Sequence, residues 1–142
     1  MYLLDTNIVS EIRKIRAGRA NPGVQAWAME SREDEMYLSV VSLMELHKGI
    51  LGVARSDAAQ ARVLQVWLER DVLLAFKDRI LPVDPETAFL CSPMHVPDPR
   101  PDNDAWIAAT ALRHDLVLVT RNIRDFSGTG VRLFNPFRQG ND

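Results

Sequence analysis

Short apolar runs alternate with longer stretches of helical periodicity along this chain. The short runs have the length of β-strands. They lie at Tyr2–Leu4, Met36–Val40, Ile80–Val83, Leu116–Val119 and Val131–Phe134. The fourth run is apolar throughout, which is the pattern of a strand buried on both faces. Because Pro82 lacks a backbone N–H, we do not expect the third strand to be central along its full length.

Amphipathic stretches between these runs predict helices. The helices extend from an N-cap at Thr6 or Asn7 through Ile12, from Pro22 to Ala28, from Ser42 to Ile50, from Ser56 to Lys77 with an interruption around Arg70–Asp71, from Pro85 to Ala88, and from Asn103 to His114. The four prolines between Ser92 and Pro101 predict a loop. Strands that alternate with helices predict a parallel sheet inside a layered α/β domain.

Individual residues predict where several helices begin and end. Pro22 suits a first helical turn, and Ser42 and Asp102 are predicted N-caps. The helix that follows Ser42 is expected to end near Gly49 or Gly52.

Length and composition indicate an ordinary globular protein. The chain has 142 residues, and we expect a single domain that spans residues 1–142. Its 46% apolar and 25% charged residues are typical of soluble proteins. The single cysteine, Cys91, excludes an internal disulfide and a cysteine-rich zinc site. Since there is no signal-peptide pattern and no apolar stretch of about 20 residues, we expect a cytoplasmic protein without a membrane segment.

The charge balance limits how the protein binds nucleic acid. It has 17 lysines and arginines against 19 acidic residues, for a net charge of −2. Domains that bind nucleic acid through bulk electrostatics are usually basic, so this class is disfavoured. One basic run is present, formed by Arg13, Lys14, Arg16 and Arg19. It is either a solvated face or an arm that contacts phosphates or a partner.

Four acidic residues lie where a parallel sheet places its ligands, beyond the carboxyl ends of the strands. Asp5 directly follows the first strand, Asp125 lies in the loop after the fourth, and Asp104 lies in the first turn of the preceding helix. Glu45 interrupts an otherwise apolar helix face. Each has an ordinary alternative. Asp5 and Asp104 suit a helix start, Asp125 suits a turn, and Glu45 suits a solvated helix.

Taken together, the four acids predict a metal site. Carboxylates gathered in one cleft repel one another, and a hard divalent cation offsets that repulsion. Oxygen ligands without histidine or cysteine favour Mg²⁺ or Mn²⁺ over zinc. Such ions clamp phosphate oxygens and activate water, so phosphodiester hydrolysis is the chemistry that these residues favour.

Other catalytic patterns are missing from the sequence. It contains no GxSxG elbow and no glycine-rich phosphate loop. Cys91 has no recognisable partner pattern, and His47, two residues from Glu45, lies on a different helical face.

Four segments resemble, in order, the motifs of PIN-domain ribonucleases, specifically the VapC/FitB-like toxins of bacterial toxin–antitoxin pairs. The segments are Leu3–Glu11, Ser39–Ile50, Asn103–Ala111 and Val119–Phe126, with Asn135–Pro136 behind the last. They span nearly the whole chain, and an ordered set of this kind is highly specific.

This resemblance implies a three-layer α/β fold with a central, mainly parallel sheet flanked by helices. It also implies an acidic pocket for Mg²⁺ or Mn²⁺ and RNA hydrolysis by metal-activated water. Asp5, Glu45 and Asp104 match the family's metal-site positions, and Asp125 matches the fourth acid of the subgroup. The supporting positions are matched by Asn7 and Thr120.

The fourth acidic position departs from a common family pattern. Many PIN domains place an acid two residues after the threonine, where this chain has Asn122. Either Asp125 serves, or Asn122 acts as a neutral ligand. Asp102 is an additional acid beside Asp104, as a helix cap or an outer ligand of the metal.

The resemblance also implies partners. These are an RNA substrate, a cognate antitoxin, a second copy of the chain in a homodimer, and a toxin–antitoxin hetero-oligomer. Because the pocket is acidic, RNA needs cations nearby, and the candidates are Arg13, Lys14, Arg16, Arg19, Arg121 and Arg124.

Two alternatives to a metal-dependent ribonuclease remain at this point. One is a catalytically silent PIN-like module that binds RNA or protein. The other is a phosphotransferase with Asp5 as its nucleophile, against which Asn7 counts, because such enzymes want a second aspartate there.

Overall fold

Five parallel strands form one sheet in the computed structural model, which describes residues 1–138. The strands are β1 Tyr2–Leu4, β2 Met36–Ser39, β3 Ile80–Leu81, β4 Val117–Val119 and β5 Leu133–Phe134. Their order is β3-β2-β1-β4-β5, so the first strand is central and the strand of Pro82 lies at an edge. The predicted parallel sheet is confirmed.

Seven α-helices in the described residues connect these strands. They are α1 Thr6–Arg13, α2 Pro22–Glu30, α3 Val40–Ala54, α4 Ala58–Val66, α5 Leu73–Ala75, α6 Pro85–Cys91 and α7 Asp102–Arg113. Short 3₁₀ turns lie at Glu33–Glu35, Ser92–His95, Ile123–Phe126 and Pro136–Arg138. The interruption expected around Arg70–Asp71 is confirmed as a π-helical segment, Trp67–Val72, between α4 and α5. None of the helices in residues 1–138 is both long and apolar enough to cross a membrane.

Alternate strand residues face opposite sides of the sheet and build two cores. Leu4, Leu38 and Val119 pack with Trp27 of α2 and other helical residues in one core. Leu3 and Leu118 pack with Ile107 of α7 and Phe126 in the other. Helices therefore cover both faces, which confirms the predicted three-layer α/β fold.

Three predicted N-caps are wrong. Asp5, rather than Thr6 or Asn7, caps α1, because its carboxylate accepts a hydrogen bond from the Thr6 N–H. Ser39, rather than Ser42, caps α3, since its hydroxyl accepts from the Val41 N–H at 3.0 Å. Pro101 occupies the N-cap position of α7, so Asp102 is its first helical residue and makes no capping hydrogen bond.

The predicted end of α3 is also wrong, because the helix continues to Ala54 through both glycines. Glycine inside a helix costs only about 1 kcal/mol relative to alanine. The buried side chain of Ile50 and the half-buried side chain of Val53 continue the apolar stripe of the helix against the core. This packing outweighs the glycine penalty.

Packing against the core predicts different costs for two leucines of α3. Leu46 is 7% exposed and Leu51 is 57% exposed. We expect Leu46→Ala to lower the free energy of unfolding by about 2–5 kcal/mol, as in other buried Leu→Ala changes. Leu51→Ala, the matched control on the same helix, should change it by less than about 0.5 kcal/mol. Urea unfolding measures both, and equal losses would contradict the assignment of Leu46 to the core.

Candidate active site

Asp5 anchors the acidic cluster at the carboxyl end of the central strand. Its backbone N–H donates to the Val119 carbonyl at 2.9 Å, which extends the pairing of β1 with β4 by one residue. Its carboxylate is buried and accepts hydrogen bonds from the Thr6 N–H at 2.8 Å, the Thr120 hydroxyl at 2.7 Å and the Asn7 amide at 3.3 Å. Burial raises the pKa of Asp5, and these hydrogen bonds oppose the rise.

Glu45 reaches the same region from the second turn of α3. One carboxylate oxygen accepts from the Thr6 hydroxyl at 2.7 Å, and the other accepts from the Asn103 amide at 3.4 Å. Glu45 therefore touches the start of α1 and the start of α7. Its charge helps to raise the pKa of Asp5, so the two carboxylates share one pocket.

Asp104 completes a three-sided arrangement from the first turn of α7. Partial burial raises its pKa to about 6, and the negative charges of Asp5, Asp125 and Glu45 contribute in that order. The sheet, α3, α7 and the 3₁₀ turn Ile123–Phe126 thus bring Asp5, Glu45 and Asp125 within electrostatic range of Asp104.

Asp125 is the most loosely enclosed of the four acids. It is exposed and lies in the 3₁₀ turn Ile123–Phe126, which Phe126 anchors in the core. Asn122 is exposed as well, and its backbone N–H donates to the Thr120 hydroxyl at 3.0 Å. Of these two candidates for the fourth position, Asp125 is the one whose charge acts on Asp104.

The donor set fits a hard divalent cation. All four groups are carboxylates, and none of them forms an ion pair with a basic side chain of residues 1–137. Burial raises the pKa of Asp5 and of Asp104, neighbouring carboxylates add to the rise, and a bound cation would oppose both effects. In the described part of the chain, however, no three acidic, histidine or cysteine side chains are close enough to count as a formed metal cluster. Glu45 is instead turned onto Thr6 and Asn103.

Three residues of this region were not predicted as part of it. Thr6 and Asn103 hold the two oxygens of Glu45. Arg100 donates to the Ser127 carbonyl at 2.7 Å and to the Asp125 carbonyl at 3.5 Å, which ties the proline-rich loop to the turn of Asp125. The signal for Thr6 and Asn103 was their position directly beside Asp5 and Asp104, whereas nothing in the sequence identified Arg100.

Three of the basic candidates lie beside the acidic pocket. Arg13 and Lys14 line a cleft of about 270 Å³ into which Thr6 and Glu45 also face. Arg121 follows Thr120 directly and lies over the Phe137 ring, 4.8 Å from its centroid. The other candidates, Arg16, Arg19 and Arg124, are exposed. The Asp102 carboxylate contacts a different neighbour from the four acids, because it lies 3.8 Å from the ring nitrogen of His95.

Comparison with known proteins identifies the class. The PIN domain family model matches residues 2–130. The VapC ribonuclease Y4jK of Sinorhizobium fredii is 32% identical over 143 residues, which cover 96% of this chain and 98% of that protein. Toxin FitB of Neisseria gonorrhoeae is 32% identical over 142 residues, which cover 96% and 99%. A solved structure of FitAB bound to an IR36 DNA fragment has a TM-score of 0.85 at 30% identity, over 96% of both chains.

The chain therefore belongs to the PIN domain family, among the VapC/FitB-like toxins of toxin–antitoxin systems. The resemblance carried by the four sequence motifs is confirmed.

The raised pKa of Asp104 predicts how stability depends on pH. Between its ordinary value of 3.8 and the folded value of about 6, the folded state binds more protons than the unfolded state. The free energy of unfolding therefore falls as pH rises through this window. Asp104→Asn removes this loss, so the variant should gain stability relative to the wild type between pH 4 and pH 7.

Urea unfolding in EDTA at several pH values measures this difference. Asp98→Asn, which neutralises an exposed carboxylate in the neighbouring loop, is the matched control. The difference between its free energy of unfolding and that of the wild type should not change with pH. If the free energy of unfolding of Asp104→Asn relative to the wild type were also independent of pH, Asp104 would have an ordinary pKa in the folded protein.

Proposed function

We propose that this chain is a metal-dependent endoribonuclease and the toxin of a toxin–antitoxin pair. The observation that carries the proposal is the set of four carboxylates near the carboxyl end of the central strands. Asp5, Glu45 and Asp125 lie within electrostatic range of Asp104, and none of the four has a basic partner in residues 1–137. Homology to VapC ribonucleases supports RNA as the substrate.

In this proposal Asp5, Glu45 and Asp104 would hold Mg²⁺ or Mn²⁺, and Asp125 would help through a bound water or a second metal ion. The bound ion supplies a polarised phosphate and a water of lowered pKa. Thr120, Asn7 and the Thr6 N–H fix the orientation of the Asp5 carboxylate, as outer hydrogen bonds do for metal-ligating carboxylates. The chain contributes no covalent nucleophile, so the reaction is a direct hydrolysis.

The proposed partners follow from the relatives. The FitAB structure supports an antitoxin that binds this chain, and a toxin–antitoxin hetero-oligomer. A homodimer, a single domain that spans residues 1–142 and a cytoplasmic location, where RNA is found, belong to the same proposal.

Cleavage of RNA tests the proposal directly. Purified, antitoxin-free protein should cut a pool of total cellular RNA at discrete positions with Mg²⁺ or Mn²⁺ and not with EDTA. Asp5→Asn should lower the rate by about 100-fold or more, because metal catalysis contributes several kcal/mol and each 1.36 kcal/mol is tenfold. Asp98→Asn is the matched control and should cut like the wild type.

The outcome also separates the rival functions. A folded protein that binds RNA but never cuts it with either metal would be a silent binding module. Covalent trapping of phosphate at Asp5 would indicate a phosphotransferase instead.

The two candidates for the fourth position give opposite expectations. If Asp125 completes the site, Asp125→Asn should slow cleavage or raise the Mg²⁺ concentration for half-maximal rate by about 10- to 100-fold. Asn122→Ala should change either quantity by less than about threefold, since the side chain is exposed. A Mg²⁺ titration of both variants measures this, and the reverse order of effects would assign the position to Asn122.

A further inference from the structure

Beside the acidic pocket, Arg121 and Phe137 form a cation–π pair. The guanidinium carbon lies 4.8 Å from the centroid of the Phe137 ring. Phe137 is half-buried and packs against the core that includes Trp27, whereas Arg121 is exposed. Since the ring covers one side of the guanidinium, the exposed surface of Arg121 lies on the other side.

Two hydrogen bonds connect this pair to the acidic site. The Arg121 N–H donates to the Asn7 side-chain carbonyl at 3.2 Å, and the Asn7 amide donates to the Asp5 carboxylate at 3.3 Å. Thr120, the residue before Arg121, contacts Asp5 directly. The Arg121–Phe137 pair is therefore held beside the position of the reacting phosphate in the proposed function.

A single side chain fixes the backbones of both members of the pair. Asn135 donates from its amide to the Arg121 carbonyl at 3.3 Å and accepts from the Phe137 N–H at 3.0 Å. The pair is thus preorganised, which lowers the entropic cost of binding a ligand on it.

The guanidinium lies within electrostatic range of the Glu11 carboxylate, whose pKa its charge helps to lower, but it makes no close polar contact within residues 1–137. It forms no salt bridge there and donates no side-chain hydrogen bond. Arg132, by comparison, is exposed but bonds to the Asp115 carboxylate at 3.0 Å. Phe137 is the contact that orients the Arg121 guanidinium, and it leaves the planar group available to a ligand.

We propose that Arg121, supported by Phe137, is a nucleobase-stacking subsite for single-stranded RNA next to the scissile phosphate. Bases of single-stranded RNA stack on guanidinium planes as well as on aromatic rings. Loss of one such stack typically weakens binding by roughly 5- to 150-fold, and the contact accepts any base. This inference rests on the proposed ribonuclease function for its substrate, and it adds a specific contact to the general expectation that cations bind phosphates.

Lysine separates stacking from phosphate binding, because Arg121→Lys keeps the charge and removes the plane. The probe is a labelled 12-nucleotide single-stranded RNA that contains all four bases, with a set of derivatives that each carry one abasic position. Binding is measured in EDTA, so that no cleavage occurs. Arg132→Lys is the matched control, and unfolding midpoints show that each variant is folded.

We expect one abasic position to weaken binding to the wild type by roughly 5- to 150-fold. Arg121→Lys should bind intact RNA more weakly than the wild type by a similar factor. The abasic position should not weaken its binding any further. Phe137→Leu should weaken binding in the same way and to a smaller extent. Arg132→Lys should bind like the wild type.

Three results would overturn the proposal. The first is that Arg121→Lys binds intact RNA as tightly as the wild type. The second is that the abasic position weakens binding to Arg121→Lys as much as it weakens binding to the wild type. The third is that Arg121→Lys binds every RNA of the set more weakly by the same factor, which would indicate a phosphate contact. Failure of the proposed ribonuclease function looks different. If the wild type never cuts RNA, but an abasic position weakens its RNA binding only when Arg121 is present, the stacking subsite exists and the ribonuclease function is wrong.

Discussion

Repulsion between carboxylates is the constraint on which the rest of this site depends. Asp5 is buried at the end of the central strand, where removal from water raises its pKa, and Glu45 and Asp104 share its pocket. Three hydrogen bonds to the Asp5 carboxylate compensate part of that cost. No basic side chain within residues 1–137 pairs with these acids, and under the proposed function a cation from solution would supply the remaining neutralisation.

The parallel sheet is what keeps these repelling groups together. The register that pairs Leu4 with Val119 places Asp5 and Thr120 side by side, one residue past the paired strands. Glu45 and Asp104 come from helices and are half-buried, whereas Asp125 comes from a turn and is exposed. Burial therefore decreases from Asp5 outward, and the fourth acid lies on the least enclosed element.

The sequence predicts the strands and the helical layers well, because both follow from apolar periodicity. The chemistry of parallel-sheet edges also singles out four acids, which the structure brings within electrostatic range of Asp104, while their role as metal ligands stays a prediction. The sequence predicts local detail less well. Ser42 and Ser39 have the same capping chemistry, and only the end of β2 decides that Ser39 is the cap. Arg100 acts on the turn of Asp125 through backbone carbonyls, which carry no sequence signal.

The net charge of −2 becomes consistent with an RNA substrate once binding and chemistry are separated in space. Arg13, Lys14 and Arg121 lie beside the pocket, and each contacts a neighbouring side chain. Arg13 lies over Trp67, Lys14 pairs with Glu11 at 3.2 Å, and Arg121 lies over Phe137. Under the proposed function, hydrolysis would place a phosphate among carboxylates that repel it unless the cation is bound there. The acidic centre would then bind the ion, and the basic side chains beside it would contact the RNA strand.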